Sequence, residues 1–188
     1  MADDCFNTLT NRLIQSDRNA FDRIFRLLYA PLVRFSYKYL KDKEAASDVV
    51  QESFIKLWKI RHELTENESI KSYLFRTVRN RSLNVIRDSS YEVTGLENIE
   101  IKSDERADSG VMDPDATAEK LNMLKSWIQK LPDRQRDVIE MSRFEGLNHA
   151  EIAEVLDISK RTVNNHVVAA MKNIKQFHDE YNGLNQIH

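Results

Sequence analysis

The sequence contains few cysteines, prolines and glycines, the residues on which disulfide-bonded and turn-rich folds depend. Its 188 residues include one cysteine, three prolines and four glycines. A single thiol excludes an internal disulfide and every cysteine-based zinc pattern, and it is typical of a reducing compartment. Because glycine and proline are scarce, a turn-rich sandwich or barrel is disfavoured, and we predict an all-α protein.

Long apolar runs are also missing from the sequence. No stretch approaches the roughly 20 residues of a membrane-spanning helix. The N-terminus MADDCFNTLT is acidic and polar, whereas a secretory signal is basic and then apolar. We therefore expect a cytoplasmic protein without membrane insertion.

The net charge of −2 conceals an uneven distribution along the chain. Residues 1–90 carry 16 basic and 12 acidic side chains, residues 91–119 carry 2 and 9, and residues 120–188 carry 10 and 9. The middle segment has no helical stripe and collects Gly95, Gly110 and Pro114. This pattern predicts two helical domains, 1–90 and 117–188, joined by an acidic flexible linker at 91–116.

Apolar residues at helical spacing predict three helices in the first domain. The first stripe consists of Ala20, Phe21, Ile24, Phe25, Leu28 and Tyr29, and it continues with Leu32, Phe35 and Tyr39. We expect Pro31 to break or restart this helix. The second helix contains DVVQESFIKLW, with the core stripe Val50, Phe54, Leu57 and Trp58.

The third helix, IKSYLFRTVRNRSLNVIRD, has a core face and a basic face. The residues expected to point inward are Tyr73, Leu74, Val78 and Val85. We predict that Thr65 with Glu68, or Asn67 alone, caps its start. Residues 71–88 carry five Lys or Arg against one Asp, and a basic, amide-bearing stripe is formed by Arg76, Asn80, Asn84 and Arg87. Such a stripe favours nucleic acid as the partner.

The second domain ends in a helix-turn-helix pattern, HAEIAEVLDISKRTVNNHVVAAMKNIK. Two apolar stripes, one with Ile152, Ala153 and Leu156 and one with Val163, Val167, Ala170 and Ile174, flank a short turn at residues 156–158. Ser159 is placed to cap the second helix. Before this motif, LNMLKSWIQKL and RQRDVIEMSRF predict two further helices, with Leu121, Leu124, Ile128 and Leu131 at helical spacing in the first.

The second helix of this motif has an exposed face that suits the major groove of DNA. Residues 159–177 hold four Lys or Arg and no Asp or Glu. Arginine can contact guanine edges, asparagine adenine edges and lysine phosphates. The predicted DNA-binding residues are Arg161, Thr162, Asn164, Asn165, Val168, Ala169 and Lys172.

Taken together, these segments resemble the extracytoplasmic-function group of sigma factors from about Asn19 to Phe177. DVVQESFIKLW is similar to the helix that binds the polymerase clamp, and SYLFRTVRNRSLNVIRD to the helix that melts and reads the −10 element. LPDRQRDVIEMSRFEGLNHAEIAEVLDISKRTVNNHV is similar to the −35-reading domain. The resemblance implies a factor that directs RNA polymerase to promoters without nucleotide hydrolysis. The residues themselves predict neither catalysis nor a cofactor, because five scattered histidines and one cysteine form no site and there is no glycine-rich phosphate loop.

The resemblance also implies partners and residue roles. Asp48, Gln51 and Glu52 would face the clamp of the largest polymerase subunit, while Asn80 and the loop 62–69 would hold a flipped base of the non-template strand. Further expected partners are the flap of the second-largest subunit, promoter DNA and an anti-sigma factor. The acidic linker is interpreted either as an RNA mimic or as a solvated tether.

The chain departs from the family pattern at two places. Asp157 stands where the turn usually has glycine, and we expect the turn to survive because Asp tolerates the left-handed conformation. Asn164, Asn165 and His166 stand where many members are richer in arginine, so the −35 sequence does not follow from the family.

Three other classes of function compete with this interpretation. A zinc protease is disfavoured because HELTE at 62–66 has Glu66 in place of the second histidine. A stand-alone helix-turn-helix regulator explains the second domain equally well, but it does not explain the basic, asparagine-bearing helix of the first. A helical scaffold that binds only protein predicts no salt-sensitive affinity for DNA.

Overall fold

The computed structural model describes residues 2–65, 68–93 and 116–185. Every regular element within these ranges is an α-helix, which confirms the all-α prediction. The helices are α1 (Ala2–Ile14), α2 (Arg18–Leu40), α3 (Lys43–Ile60), α4 (Ile70–Val93), α5 (Ala116–Gln129), α6 (Asp133–Arg143), α7 (His149–Leu156) and α8 (Lys160–Asn185). None of these helices combines the length and the apolar character that crossing a membrane requires.

The chain divides into two compact units. One contains α1 to α4 together with residues 153–157, and the other contains α5, α6, α8 and the rest of α7. Helix α4 continues to Val93 and α5 starts at Ala116, so both reach slightly into the segment 91–116 that was predicted as a linker. The rest of that segment, 94–115, lies outside the described residues.

The core of the first unit lies between α2, α3 and α4. Its largest fully buried side chains are Leu13, Ile24, Leu32, Phe35, Phe54, Leu57, Ile70, Leu74 and Phe75. Phe35 and Phe75 meet edge to face at 5.1 Å, an arrangement that aromatic rings prefer. Helix α1, which the sequence analysis did not predict, packs on α2 and α4.

Pro31 does not interrupt α2, contrary to the prediction, and the helix runs through it without a break. Proline removes one backbone hydrogen bond, to the carbonyl four residues earlier. That carbonyl belongs to Leu27, whose side chain is 46% exposed, so water can reach this side of the helix. Burial of Leu28 and Leu32 on the opposite side holds both halves of α2 against the core.

Side-chain caps begin the helices of the first unit. The carboxylate of Asp17 accepts from the backbone N–H groups of Asn19 at 2.8 Å and Ala20 at 3.3 Å. The cap of α4 is not Thr65: Ser69, the residue before Ile70, accepts through its Oγ from the N–H of Ser72 at 3.2 Å. Thr65 and Glu68 instead close a turn before the helix, and Asn67 lies outside the described residues.

One residue expected in the core of the first unit is exposed. Leu74 and Val78 are buried and Tyr73 is half-buried, but Val85 is 38% exposed. It lines a groove between α3 and α4 instead of the core, so this part of the inward stripe was predicted wrongly.

The second unit packs α5 and α6 against α8. Its core contains Ile128, Leu131, Ile139 and Ala170, with Leu124, Val167, Ile174 and Phe177 packed around it. Leu121, placed on the same stripe by its spacing, is 54% exposed. The Arg136 guanidinium donates to the carbonyls of Gln129 at 2.7 Å and Leu131 at 3.0 Å, which fixes the turn between α5 and α6.

Candidate nucleic-acid interface

Two side-chain caps and one left-handed residue shape the helix-turn-helix. At the start of α7, the Asn148 amide oxygen accepts from the N–H groups of Ala150 and Glu151, and Glu151 accepts from the Asn148 N–H at 2.8 Å. This reciprocal pair is a capping box, which satisfies backbone donors at a helix start. Asp157 has φ 55°, so the turn forms without glycine, as predicted.

The second cap begins α8, the helix predicted to read DNA. Ser159 Oγ accepts from the N–H of Thr162 at 3.0 Å, which confirms the predicted cap. Val163 and Ala170 are fully buried on one side of α8. Their burial fixes the rotation of α8 about its axis, so that the opposite face is presented to solvent.

The residues predicted to bind duplex DNA fall into two groups on α8. Five of them are exposed: Arg161, Asn164, Asn165, Val168 and Lys172. The other two, Thr162 and Ala169, are half-buried. The hydroxyl of Thr162 lies 2.8 Å from Ser159 Oγ, so it takes part in the cap. The exposed group forms a convex, acid-free face.

A second polar face lies on α4, in the other unit. Arg76, Asn80, Asn84 and Arg87 are all exposed, as their common stripe predicted. Residues on the opposite side of α4, including Leu74, Phe75 and Val78, are buried. The structure therefore brings all four predicted side chains to one surface of α4.

This surface forms one wall of a groove with a volume of about 730 Å³ between α3 and α4. The groove is lined by Val49, Glu52, Lys56, Tyr73, Arg76, Thr77, Asn80, Arg81, Asn84, Val85 and Asp88. Three of the four predicted α4 residues line it, and Arg87 does not. The groove is open to solvent, and polar or charged side chains make up most of its lining.

Charges of both signs surround the groove. Arg81 on α4 forms an ion pair with Glu52 on α3, across the groove. Arg87 lies 3.3 Å from the Asp88 carboxylate. The acidic side chains keep the groove from being uniformly positive, unlike the exposed face of α8.

The exposed face of α3 carries the residues predicted to bind polymerase. Asp48, Gln51 and Glu52 are exposed, and buried Val50 and Phe54 lie on the opposite side. Sequence reasoning missed Ile55, which is 55% exposed on the same face. Its position four residues after Gln51 in the helical pattern was the available signal.

The start of the loop 62–69 is anchored to the corner between α1 and α2. A ring nitrogen of His62 lies 3.1 Å from the carbonyl oxygen of Ile14, and its other ring nitrogen lies 3.3 Å from Ser16 Oγ. Arg61 donates to the same hydroxyl at 2.9 Å and stacks on Trp58. These contacts hold the beginning of the loop, while residues 66 and 67 lie outside the described ranges.

Two family models match the two units separately. The model described as sigma-70 region 2 matches residues 24–91, which include α3 and most of α2 and α4. The model described as sigma-70, region 4 matches residues 121–174, which include α6, α7 and the turn before α8. The chain belongs to the sigma-70 family, in its extracytoplasmic-function group.

Curated relatives of this sigma factor extend over most of its length. It is 29% identical over 161 residues to the ECF RNA polymerase sigma factor SigW of Bacillus subtilis, covering 81% of this chain and 86% of SigW. It is 24% identical to the ECF sigma factor SigM of the same organism, covering 84% of this chain and 94% of SigM.

Solved structures agree on the fold of the sigma factor. CnrH in complex with the cytosolic domain of CnrY matches with a TM-score of 0.60 and 18% identity, covering 94% of this chain and 98% of that one. The sigma factor RpoE in complex with the anti-sigma factor NepR from Bartonella quintana matches with a TM-score of 0.57 and 21% identity, covering 85% and 96%.

Proposed function

We propose that this sigma factor directs core RNA polymerase, in the cytoplasm, to promoters with two elements. The α3–α4 groove would take a base of the melted −10 element, and the convex face of α8 would read the −35 element as duplex. The exposed face of α3, with Asp48, Gln51, Glu52 and Ile55, would bind the clamp of the largest polymerase subunit, and the second unit would bind the flap of the second-largest.

The observation that carries this proposal is the difference in shape between two asparagine- and arginine-bearing surfaces. On α8, exposed side chains project from a convex helix that fits a major groove about 12 Å wide. On α4, Arg76, Asn80 and Asn84 face a groove whose volume suits one unstacked base. A base taken from the stack costs a few kcal/mol, and contacts in the groove would offset that cost.

Initiation would then be a population shift and would need no nucleotide hydrolysis. If the groove binds the flipped base and not the stacked base, melted promoter is favoured over closed promoter by that difference in affinity. An anti-sigma partner belongs to the same proposal, because RpoE was solved bound to the anti-sigma factor NepR. Such a partner would act by covering these surfaces.

Run-off transcription with purified core polymerase tests the proposal. Core polymerase with the chain is expected to yield a start-site-selective transcript, and Asn80→Ala to reduce it at least tenfold, or about 1.4 kcal/mol. Asn11→Ala, which alters an exposed asparagine of α1, is the matched control. A promoter with an abasic site at the flipped position should abolish the difference between wild type and Asn80→Ala.

Two results would refute specific parts of the proposal. If the chain binds promoter DNA but gives no selective transcript with core polymerase, it is a stand-alone regulator. If Asn80→Ala lowers transcription equally on the intact and the abasic promoter, the groove does not hold that base.

A further inference from the structure

Helix α2 exposes a basic stripe that neither the α3–α4 groove nor the α8 face includes. We define the basic stripe as Arg23, Arg26, Arg34 and Lys41, which are all exposed. The helix carries five Lys or Arg and a single acidic residue, Asp22. At 3.6 residues per turn, the three arginines of the stripe fall on one side of the helix axis, and Lys41 follows directly after the helix as its left-handed C-cap.

This side lies away from the core. The buried residues of α2, among them Ile24, Leu28 and Leu32, lie on the face that packs against α3 and α4. Between the arginines, the stripe exposes Leu27 at 46% and Tyr37 at 39%. The stripe is therefore a solvent-facing surface of cations with apolar side chains between them.

The four cations have no acidic partners in the part of the chain that the structure describes. The ion pairs found there involve other residues, such as Arg12 with Asp17 and Arg81 with Glu52. Cations aligned without neutralising partners repel one another, and a polyanion relieves this repulsion. The absence of pairing is what separates this stripe from the mixed charges around the groove.

The length and shape of the stripe indicate which polyanion fits. From Arg23 to Arg34 the helix rises about 17 Å, which is about half of the roughly 34 Å of one turn of duplex DNA. Single-stranded nucleic acid is bound on aromatic stacking platforms inside grooves. The stripe is convex and offers only Tyr37 for stacking, so its chemistry favours the phosphates of a duplex.

We propose that the basic stripe of α2 binds the phosphate backbone of duplex DNA without reading its sequence. This would be a third DNA contact, in addition to the two of the proposed function, and it does not depend on either. Each neutralised phosphate releases condensed counterions, so the affinity for DNA should depend more steeply on salt when the stripe is intact.

The test measures how the affinity of the full chain for a random-sequence 30-base-pair duplex depends on salt. In a variant that combines Arg23→Ala, Arg26→Ala and Arg34→Ala, the plot of log affinity against log salt should fall less steeply. The magnitude of its slope should decrease by about 2 to 3, because each phosphate contact contributes roughly 0.9. The matched control Arg18→Ala, Lys43→Ala, Lys59→Ala removes the same charge from exposed positions off the stripe. Circular dichroism establishes that both variants are folded.

Three outcomes would overturn the proposal. The first is an equal salt slope for the stripe variant and its control, which would show that the effect depends on the net charge of the protein and not on the stripe. The second is a loss confined to a 30-nucleotide single strand. The third is a stripe variant whose salt slope is unchanged but which binds core polymerase more weakly. That result would indicate that the stripe binds an acidic protein surface instead of DNA.

Discussion

Helices α4 and α8 present the same residue types in different settings. Both expose asparagines and arginines on a face opposite the core. Helix α8 is convex at this face, and residues 159–177 contain no carboxylate. Helix α4 borders a groove in which Arg81 is paired with Glu52. Under the proposed function, the same side-chain types would therefore serve different ligands according to the shape and charge around them.

The difference teaches how a small protein can separate affinity from selectivity. An acid-free convex face attracts any duplex through its phosphates, and base edges then provide discrimination. A groove with carboxylates at its rim repels phosphates, so a ligand must gain enough from contacts within the groove to bind. Under the proposed function, the α8 face would dominate initial binding and the α4 groove would dominate the response to melting.

The largest predicted effect comes from truncating a core side chain of the first unit. Phe54, which is 2% exposed, packs against Phe21 and Phe25, and Phe54→Ala should lower the free energy of unfolding by about 3 to 5 kcal/mol. Denaturant titration measures this loss. The neighbouring change Ile55→Ala should cost less than about 0.5 kcal/mol, because Ile55 is 55% exposed.

The same pair of variants separates a core residue from an interface residue. Ile55→Ala should weaken binding to core polymerase while leaving the fold intact. If Ile55→Ala binds polymerase like the wild type, Ile55 does not belong to the clamp-facing surface. If Phe54→Ala is as stable as wild type, this aromatic cluster does not stabilise the core of the first unit.

A smaller effect is expected from single changes on the convex face of α8. Asn165→Ala should alter preference at one base pair of the −35 element by about 1 to 3 kcal/mol. Lys172→Ala should weaken all sequences alike and reduce the salt slope by about 1. Competition binding against single-base variants of the promoter distinguishes these patterns. Equal losses for both variants on every sequence would remove Asn165 from base recognition.

Much of the fold followed from local pattern in the sequence. The stripes in α2, α3 and α8 were predicted because apolar residues recur at helical spacing, and Ser159 was recognised as a cap from its position before the second stripe of the motif. Val85 and Leu121 were misplaced because spacing alone does not reveal where a helix projects beyond the core. At Pro31, the burial of Leu28 and Leu32 against the core outweighed the tendency of proline to break a helix.

The candidate site was only partly predictable. The faces of α4 and α8 followed from periodicity, but the groove depends on how α3 lies beside α4, and its Glu52–Arg81 pair joins residues 29 positions apart. Ile55 was missed because an isoleucine in a helix is expected in the core, although its spacing from Gln51 places it on the polar face of α3. Helix α1 was missed because its apolar residues Leu9 and Leu13 are set in a mostly polar segment.

The caps of the two units provide a further prediction, of about 1 kcal/mol. Ser159→Ala removes the acceptor for the Thr162 N–H and should destabilise the second unit by that amount. Thermal unfolding measures the change. Ser126→Ala is the matched control, because Ser126 donates to a carbonyl within α5 and its loss leaves no helix start uncapped. A loss that is equal in both variants would argue against the cap.

The cap of α2 differs from that of α8 because it carries a charge, and this gives the smallest predicted effect. A hydrogen bond from Arg12, together with bonds from the Ala20 and Asn19 N–H groups, lowers the pKa of Asp17 below its ordinary value of 3.8. Because the folded pKa is the lower one, the contribution of the Asp17 carboxylate to stability is complete well above pH 3.8 and is lost as pH falls through the folded pKa.

The variant Asp17→Asn keeps a capping oxygen, so it should be less stable than wild type at neutral pH and equal to it in acid. Denaturant titrations from pH 7 to pH 2, with Asp22→Asn as the control for loss of one charge on the same helix, measure this convergence. If the gap between wild type and Asp17→Asn is independent of pH, the Arg12–Asp17 contact adds nothing to the neutral cap.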